Sequence, residues 1–102
     1  MTTYNRQQQY AIVSVLMQIM EADGVVHPNE VEFLDHILAE CQITEAEMEM
    51  IQMRDLEQDI EVLRRMDAAQ RTRAAALFER MAECDGFKDP RELSLINQVI
   101  AG

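Results

Sequence analysis

The chain has little of what a turn-rich or a disulfide-stabilised fold requires. Its 102 residues include three glycines, two prolines and two cysteines, and no tryptophan. Glycine and proline are too scarce for the many tight turns of an all-β fold. Cys41 and Cys84 form neither a disulfide framework nor the spacing of a metal-binding motif. These absences favour an all-α domain in a reduced, cytoplasmic setting.

Basic residues are scarce as well. The chain has nineteen acidic and nine basic residues, which gives a formal net charge of -10. Nucleic-acid binding requires a cationic surface that displaces counterions from phosphates, and anionic membranes repel such a chain for the same reason. No apolar run approaches the length that spans a membrane, and the polar residues 1–9 do not resemble a signal peptide. We therefore expect no nucleic-acid binding and no direct membrane insertion, and the natural partners are cations or basic protein surfaces.

The residues that are abundant (Ala, Leu, Ile, Met, Glu, Gln and Arg) are good helix formers. Apolar periodicity predicts a first helix over residues 4–22 and a second from Pro28 to about Glu40. Between them, Asp23-Gly24 ends the first helix, because glycine accepts the left-handed conformation that closes a helix. The apolar stripe of the first helix comprises Ile12, Val13, Leu16, Ile19 and Met20. The predicted buried face of the second comprises Val31, Phe33, Leu34, Ile37 and Leu38.

Three further signals set helix boundaries in the second half of the chain. They are a capping box at Thr44 and Glu47, a break near Arg54 and Asp55, and a capped start at Asp67 with Gln70. The helix from residue 67 is expected to continue to residue 84, and a last helix to run from Pro90 to about Ile100. The fold class is therefore all-α, a bundle of about six helices in a single domain, 1–102.

The chain contains an internal repeat. When it is aligned with itself, residues 16–38 fall on residues 78–100 without a gap, and the apolar positions follow. Glu21, Asp23, Gly24, Pro28 and Glu30 fall on Glu83, Asp85, Gly86, Pro90 and Glu92. We expect two helix–DGxxxPxE–helix hairpins related by duplication, with halves at about 10–40 and 72–101 joined by a helical segment, 42–66.

Each copy of the repeat carries the pattern D-G-x-x-x-x-x-E, which matches the second half of an EF-hand calcium loop. The first half does not match, because loop position one falls on the apolar Ile19 and Met81. A true EF-hand is therefore excluded, since the site would have too few ligands.

Hairpin construction alone can explain the motif. Gly24 can supply positive φ, Asp23 can bond the turn, and Glu30 can cap the first turn of its helix. The alternative interpretation is that the two hairpin ends adjoin. Asp23, Glu30, Asp85 and Glu92 would then converge, and converging carboxylates repel unless a cation bridges them.

Other candidate residues give weaker signals. His27 is interpreted as a loop cap, since no nucleophile accompanies it, and His36 is expected to face solvent. The two cysteines end apolar stripes and are interpreted as small hydrophobic residues. Met48, Met50 and Met53 lie among acidic residues and could form an adaptable groove. Because no positioned base and nucleophile and no glycine-rich phosphate loop occur, the chain is not expected to be an enzyme.

At the repeat, the chain resembles the TerB-like family of bacterial tellurite-resistance and stress proteins. The residues that carry the resemblance are M-E-A-D-G-V-V at 20–26 with Glu30, and E-C-D-G-F at 83–87 with Glu92. Members are all-helical, with an A-x-A-D-G helix end followed by a glutamate, and a similar domain occurs in a membrane-anchored DnaJ-like co-chaperone. This chain departs from the pattern where Glu21 and Cys84 replace small residues.

The resemblance implies a non-enzymatic stress-related protein whose clustered acidic residues bind a divalent metal, calcium or magnesium. By position, that role would fall to Asp23, Glu30, Asp85 and Glu92, with Asp89 and Glu21 as helpers. Two functional interpretations follow. One is a binding or scaffold domain with an acidic face for a divalent cation or a basic partner. The alternative is a purely protein–protein adaptor in which the acidic motifs serve only as helix caps.

Overall fold

Five α-helices make up the part of the chain that the computed structural model describes, residues 4–21 and 28–83. They are α1 (Arg6–Glu21), α2 (Pro28–Cys41), α3 (Glu45–Gln52), α4 (Leu56–Arg64) and α5 (Ala68–Glu83). No β-strand occurs in these ranges, so the all-α prediction is confirmed there. The predicted sixth helix and both Asp-Gly loops lie outside the described residues.

Helix α1 is the centre of the fold. It packs against each of the other four described helices, and α2 also packs against α5. Ten of its sixteen residues are buried. A helix that covers a core with one face buries fewer, so α1 is enclosed on most of its circumference. All five residues of its predicted apolar stripe are buried. A stripe this broad is typical of a helix at the centre of a fold.

The helix boundaries follow the predicted capping signals. The amide of Glu47 donates to Thr44 Oγ1, and the amide of Thr44 donates to Glu47 Oε1, both at 3.2 Å. The amide of Gln70 donates to Asp67 Oδ1 at 2.8 Å, and the amide of Asp67 donates to Gln70 Oε1 at 3.3 Å. Asp55 is the N-cap of α4, which confirms the predicted break. Each cap satisfies backbone donors that a helix start leaves unpaired.

The predicted buried face of α2 is wrong at one position. Leu34 and Ile37 are buried, and Phe33 and Leu38 are partly buried against the core, but Val31 is 40% exposed. The side chain that completes the buried face is that of Glu30. Since successive helical residues are about 100° apart, burying Glu30 turns Val31 away from α1.

Helix α2 ends in a Schellman motif that has no glycine. The amide of Ile43 donates to Leu38 O at 3.0 Å, and the amide of Gln42 donates to Ala39 O at 3.2 Å. This pattern requires a left-handed residue after the helix, and Gln42 supplies it with φ of 55°. Ile43 and Leu38 both pack against the core, which is the hydrophobic contact usual in this motif.

Core positions on α1 and α5 agree with the repeat. Leu16 and Phe78 correspond in the alignment and are both fully buried, as are Ile19 and Met81. The second loop and the helix that would follow it lie outside the described residues. The duplication as a whole therefore stays a prediction.

Replacement of Ile19 by aspartate tests the central position of α1. Because Ile19 is 0% exposed, Ile19→Asp should bury an unpaired carboxylate and cost several kcal/mol, on the order of half the stability of such a domain. The control is Gln18→Asp, at the exposed neighbouring position. Urea unfolding followed by circular dichroism measures both, and near-normal stability of Ile19→Asp would contradict the assigned core.

Replacement of Gln42 by glycine tests the end of α2. Glycine relieves the steric cost of positive φ, so Gln42→Gly should stabilise the fold by about 0.5–1 kcal/mol. The control is Gln58→Gly, at an exposed position inside α4, which should lose about 1 kcal/mol. Equal destabilisation by both changes would show that Gln42 is not held in the left-handed conformation.

Candidate functional site

Two of the six residues that the sequence assigned to an acidic site lie in the described part of the chain, namely Glu30 and Glu21. The other four, Asp23, Asp85, Asp89 and Glu92, lie outside it, as do His27 and Cys84. The structure therefore gives the surroundings of one hairpin end through the residues that flank its loop.

Glu30 is enclosed in the fold. It is the third residue of α2, and it is 2% exposed, whereas Pro28, Asn29 and Glu32 are exposed. Its place in the first helical turn puts the carboxylate at the positive end of the helix dipole. Burial of a carboxylate is costly unless the group is hydrogen-bonded, paired or coordinated, and Glu30 does have an interaction partner. A glutamate that only caps a helix can do so in solvent, so the enclosure of Glu30 goes beyond what capping requires.

Glu21 has the opposite environment. It is the last residue of α1, and it is exposed. It lines a polar pocket of about 300 Å³ at the surface between α1 and α3. The other lining residues are Ser14, Met17, Gln18, Ile51, Gln52 and Arg54. The pocket thus combines one carboxylate with one guanidinium and several neutral polar groups.

Within residues 4–21 and 28–83, no three His, Cys, Asp or Glu side chains are grouped so as to hold a metal ion. A metal site of three or more such ligands that used Glu30 would therefore need at least one ligand from outside the described residues, such as residues 22–27 or the segment that follows α5. Those are the regions that contain Asp23, Asp85, Asp89 and Glu92.

Asp59 is a buried charge that sequence reasoning missed. It is 0% exposed, and its Oδ1 accepts a hydrogen bond from Arg54 Nε at 2.7 Å. Arg54 also donates to Gln7 Oε1 at 3.3 Å, and its guanidinium lies 5.8 Å from the ring centre of Tyr10. Asp59 Oδ2 has no hydrogen-bond partner in the described structure. The sequence did contain one signal that could have identified Asp59 as buried. Its position in the chain puts it on the same face of α4 as the apolar Ile60 and Leu63.

A second polar network joins the start of α1 to the α2–α3 connection. Arg6 donates to the carbonyl of Cys41 at 2.6 Å and to that of Gln42 at 3.3 Å, and so covers the carbonyl end of α2. The same guanidinium lies 2.6 Å from Glu47 Oε2. The Tyr10 hydroxyl also donates to that oxygen. Sequence reasoning identified Glu47 as a cap and missed both of its long-range partners.

These contacts stabilise the charged form of the Glu47 side chain. The hydrogen bond from the Tyr10 hydroxyl, followed by that from the Thr44 amide and the contact with Arg6, lowers the pKa of Glu47 to about 2. All three favour the charged form. Because the carboxylate is fully occupied by fold contacts, Glu47 belongs to the structural framework rather than to a ligand site.

The remaining candidates offer no reactive group in the described residues. Cys41 is buried, and burial raises the pKa of its thiol, as is typical of a cysteine that acts as a small hydrophobic side chain. His36 is exposed on α2, as the sequence predicted.

No protein-family model, no curated protein and no solved structure matches this chain. Among the described helices, none is both long and apolar enough to cross a membrane.

Replacement of Tyr10 by phenylalanine tests the Glu47 network. Because the pKa of Glu47 is lowered from 4.5 to about 2 in the folded state, its stabilisation is complete above 4.5 and is lost as pH falls toward 2. Tyr10→Phe removes the largest cause of the shift. The pKa of Glu47 should rise toward 4.5, and the free energy of unfolding should depend less steeply on pH in this window.

The Glu47 pKa can be measured from its side-chain carboxyl shift in an NMR titration. The control is Tyr4→Phe, which also removes a hydroxyl, but one that donates to the backbone carbonyl of Gln70 at 3.0 Å. That variant should leave the pKa of Glu47 unchanged. An unaltered Glu47 titration in Tyr10→Phe would contradict the assigned network.

Proposed function

We propose that the chain is a TerB-like, non-enzymatic, cytoplasmic domain of the stress-related, tellurite-resistance type that binds a divalent cation at its acidic hairpin ends. The proposed ligands are Asp23, Glu30, Asp85 and Glu92, with Asp89 and Glu21 as helpers. The ion would bridge two loops that come from the two halves of the repeat.

The observation that carries the proposal is the burial of Glu30. This residue occupies the last position of the D-G-x-x-x-x-x-E pattern, which in calcium loops is the glutamate that supplies two oxygen ligands. At 2% exposure, the carboxylate is enclosed next to the loop that carries Asp23. Coordination to a metal ion is one of the ways, beside a hydrogen bond or an ion pair, in which the desolvation of a buried carboxylate is offset.

The ligand set selects the class of ion. Carboxylate oxygens are hard ligands, which favour calcium and magnesium over softer transition metals. Tellurite is an oxyanion, so a chain with a net charge of -10 would repel it. Any role in tellurite resistance would therefore be indirect, through a partner or through the ion.

The alternative is a protein–protein adaptor in which the acidic motifs only cap helices. The exposed Met50, on α3, and Met53, its C-cap, support this class of function, because contiguous exposed apolar patches are typical of contact surfaces. The two functions use different surfaces and can be tested separately.

Thermal unfolding with and without ion tests the cation site. A dissociation constant of ~10–100 µM is usual for oxygen sites of sensor strength or weaker. At ~1 mM calcium, such a site adds about 1.4–2.7 kcal/mol to the folded state. For a domain of this size, the melting temperature should rise by roughly 6–20 °C. Magnesium is measured in parallel, and sodium chloride of equal ionic strength is the reference. If neither ion raises the wild-type melting temperature above that reference, the proposed site does not exist.

Two variants assign the effect to the site. Glu30→Gln combined with Glu92→Gln keeps hydrogen-bonding capacity but removes two charges, so the ion-dependent rise should disappear while the fold remains. The matched control is Glu32→Gln, which makes the same change at an exposed position on the same helix. A rise that is lost equally in the control would indicate general charge screening.

A further inference from the structure

Two exposed methionines lie at the C-terminal end of α3, Met50 within the helix and Met53 as its C-cap. Met53 is 87% exposed and Met50 is 44% exposed, and with Val31 on α2 they are the exposed large hydrophobic side chains of the described residues. Single exposed apolar residues are common on protein surfaces. Here two of them lie one helical turn apart, which makes a patch of the kind that marks an interaction site.

The register of α3 separates this patch from the core. Ile51 is 1% exposed and Met48 packs against the core, so these residues mark the inward side of the helix. Ala46, Met50 and Met53 follow at steps of four and three residues and share the outward side. The patch is thus a continuous apolar stripe of about two turns, roughly 10 Å long.

The stripe has an acidic border. Glu45 and Glu49 are exposed and lie one residue before Ala46 and Met50, and Asp55 is exposed just after Met53. The only lysine or arginine between residues 21 and 61 is Arg54. Its side chain is 20% exposed and is bound to the buried Asp59. Arg54 is thus paired with a carboxylate of the fold, and Arg6, whose guanidinium lies 2.6 Å from Glu47, is paired as well. The exposed Glu45 and Glu49 therefore give the stripe an acidic border.

We infer that this surface, the methionine face (Glu45, Ala46, Glu49, Met50 and Met53), is a docking site for a basic amphipathic helix of a protein partner. The apolar side of such a helix would cover Met50 and Met53, and its flanking lysines or arginines would meet Glu45 and Glu49. Methionine suits this role, because an unbranched, polarizable side chain adapts to different partner surfaces. The inference rests on the adaptor alternative of the proposed function, for which it specifies the class of partner, and it uses a surface other than Glu30.

The charge of the face distinguishes this partner from two other occupants. A second copy of the chain would bring like charges together, and an anionic membrane would repel the same carboxylates. A basic helix is the occupant for which both the apolar stripe and its border are complementary.

A synthetic peptide probe tests the inference. The probe is a fluorescein-labelled helix of about 18 residues, roughly five turns, with leucines on one face and lysines on the other. Fluorescence anisotropy at ~0.15 M salt should show saturable binding to the wild-type protein. Met50→Gln combined with Met53→Gln should weaken binding by at least about tenfold, which is the usual effect of removing central apolar anchors.

Three controls make the result specific. Val31→Gln removes the other exposed aliphatic side chain and should leave the affinity unchanged. A peptide of the same composition with scrambled order should bind at least about tenfold more weakly, because it lacks an apolar face. The variant Glu30→Gln with Glu92→Gln should still bind the peptide, which separates this surface from the cation site.

The inference fails if the methionine double variant, shown to be folded by circular dichroism, binds the peptide as tightly as wild type. It also fails if the scrambled peptide binds as well as the amphipathic one, since attraction would then be purely electrostatic. Sedimentation equilibrium that shows a wild-type dimer abolished by Met50→Gln with Met53→Gln would assign the face to a second copy instead.

Discussion

The enclosure of α1 is the constraint on which the rest of the structure depends. With four helices packed around it and ten of its residues buried, α1 fixes where every other described element can lie. About half of the residues in the hydrophobic core come from this one helix, and the buried rings of Tyr4, Tyr10 and Phe78 also contribute to it. The end of α1 then leads directly into the acidic loop, so the hairpin end that contains Glu30 is attached to the most constrained part of the molecule.

The packing of helices around α1 also determines which charged and polar side chains are paired. Arg6 and Tyr10, at the start of α1, hold the α2–α3 connection through Glu47, and Arg54 reaches the buried Asp59 beside α1. Among residues 4–21 and 28–61, the basic side chains are Arg6 and Arg54, and each is paired with a carboxylate. The carboxylates in these ranges, apart from Glu30, Glu47 and Asp59, are exposed. A strongly acidic surface is therefore a product of packing as well as of composition, and it sets the class of partner that can approach.

Local signals predicted the described fold well. Thr44, Asp55 and Asp67 marked helix starts, because a cap needs only residues close in sequence. The errors and omissions involve contacts between distant residues. Val31 was assigned to the core because its apolar character outweighed Glu30 in the pattern, although tertiary packing buries the glutamate. The Arg54–Asp59 pair and the Tyr10–Glu47 contact could not be predicted, since they depend on how helices meet. The membership of the acidic site stays a prediction, and the sequence could not place Glu30 in the interior.

Glu30 is proposed to be a metal ligand. Anomalous diffraction from crystals grown with manganese, an ion that accepts the same oxygen ligands as magnesium and calcium, is the sharpest test of this role. An anomalous peak is expected about 2.0–2.6 Å from a Glu30 carboxylate oxygen, the range of metal–oxygen bonds of this class, with Asp23, Asp85 or Glu92 among the other ligands. A Glu30 carboxylate bound solely by protein donors, with no peak near it at saturating ion, would show that Glu30 is not a metal ligand.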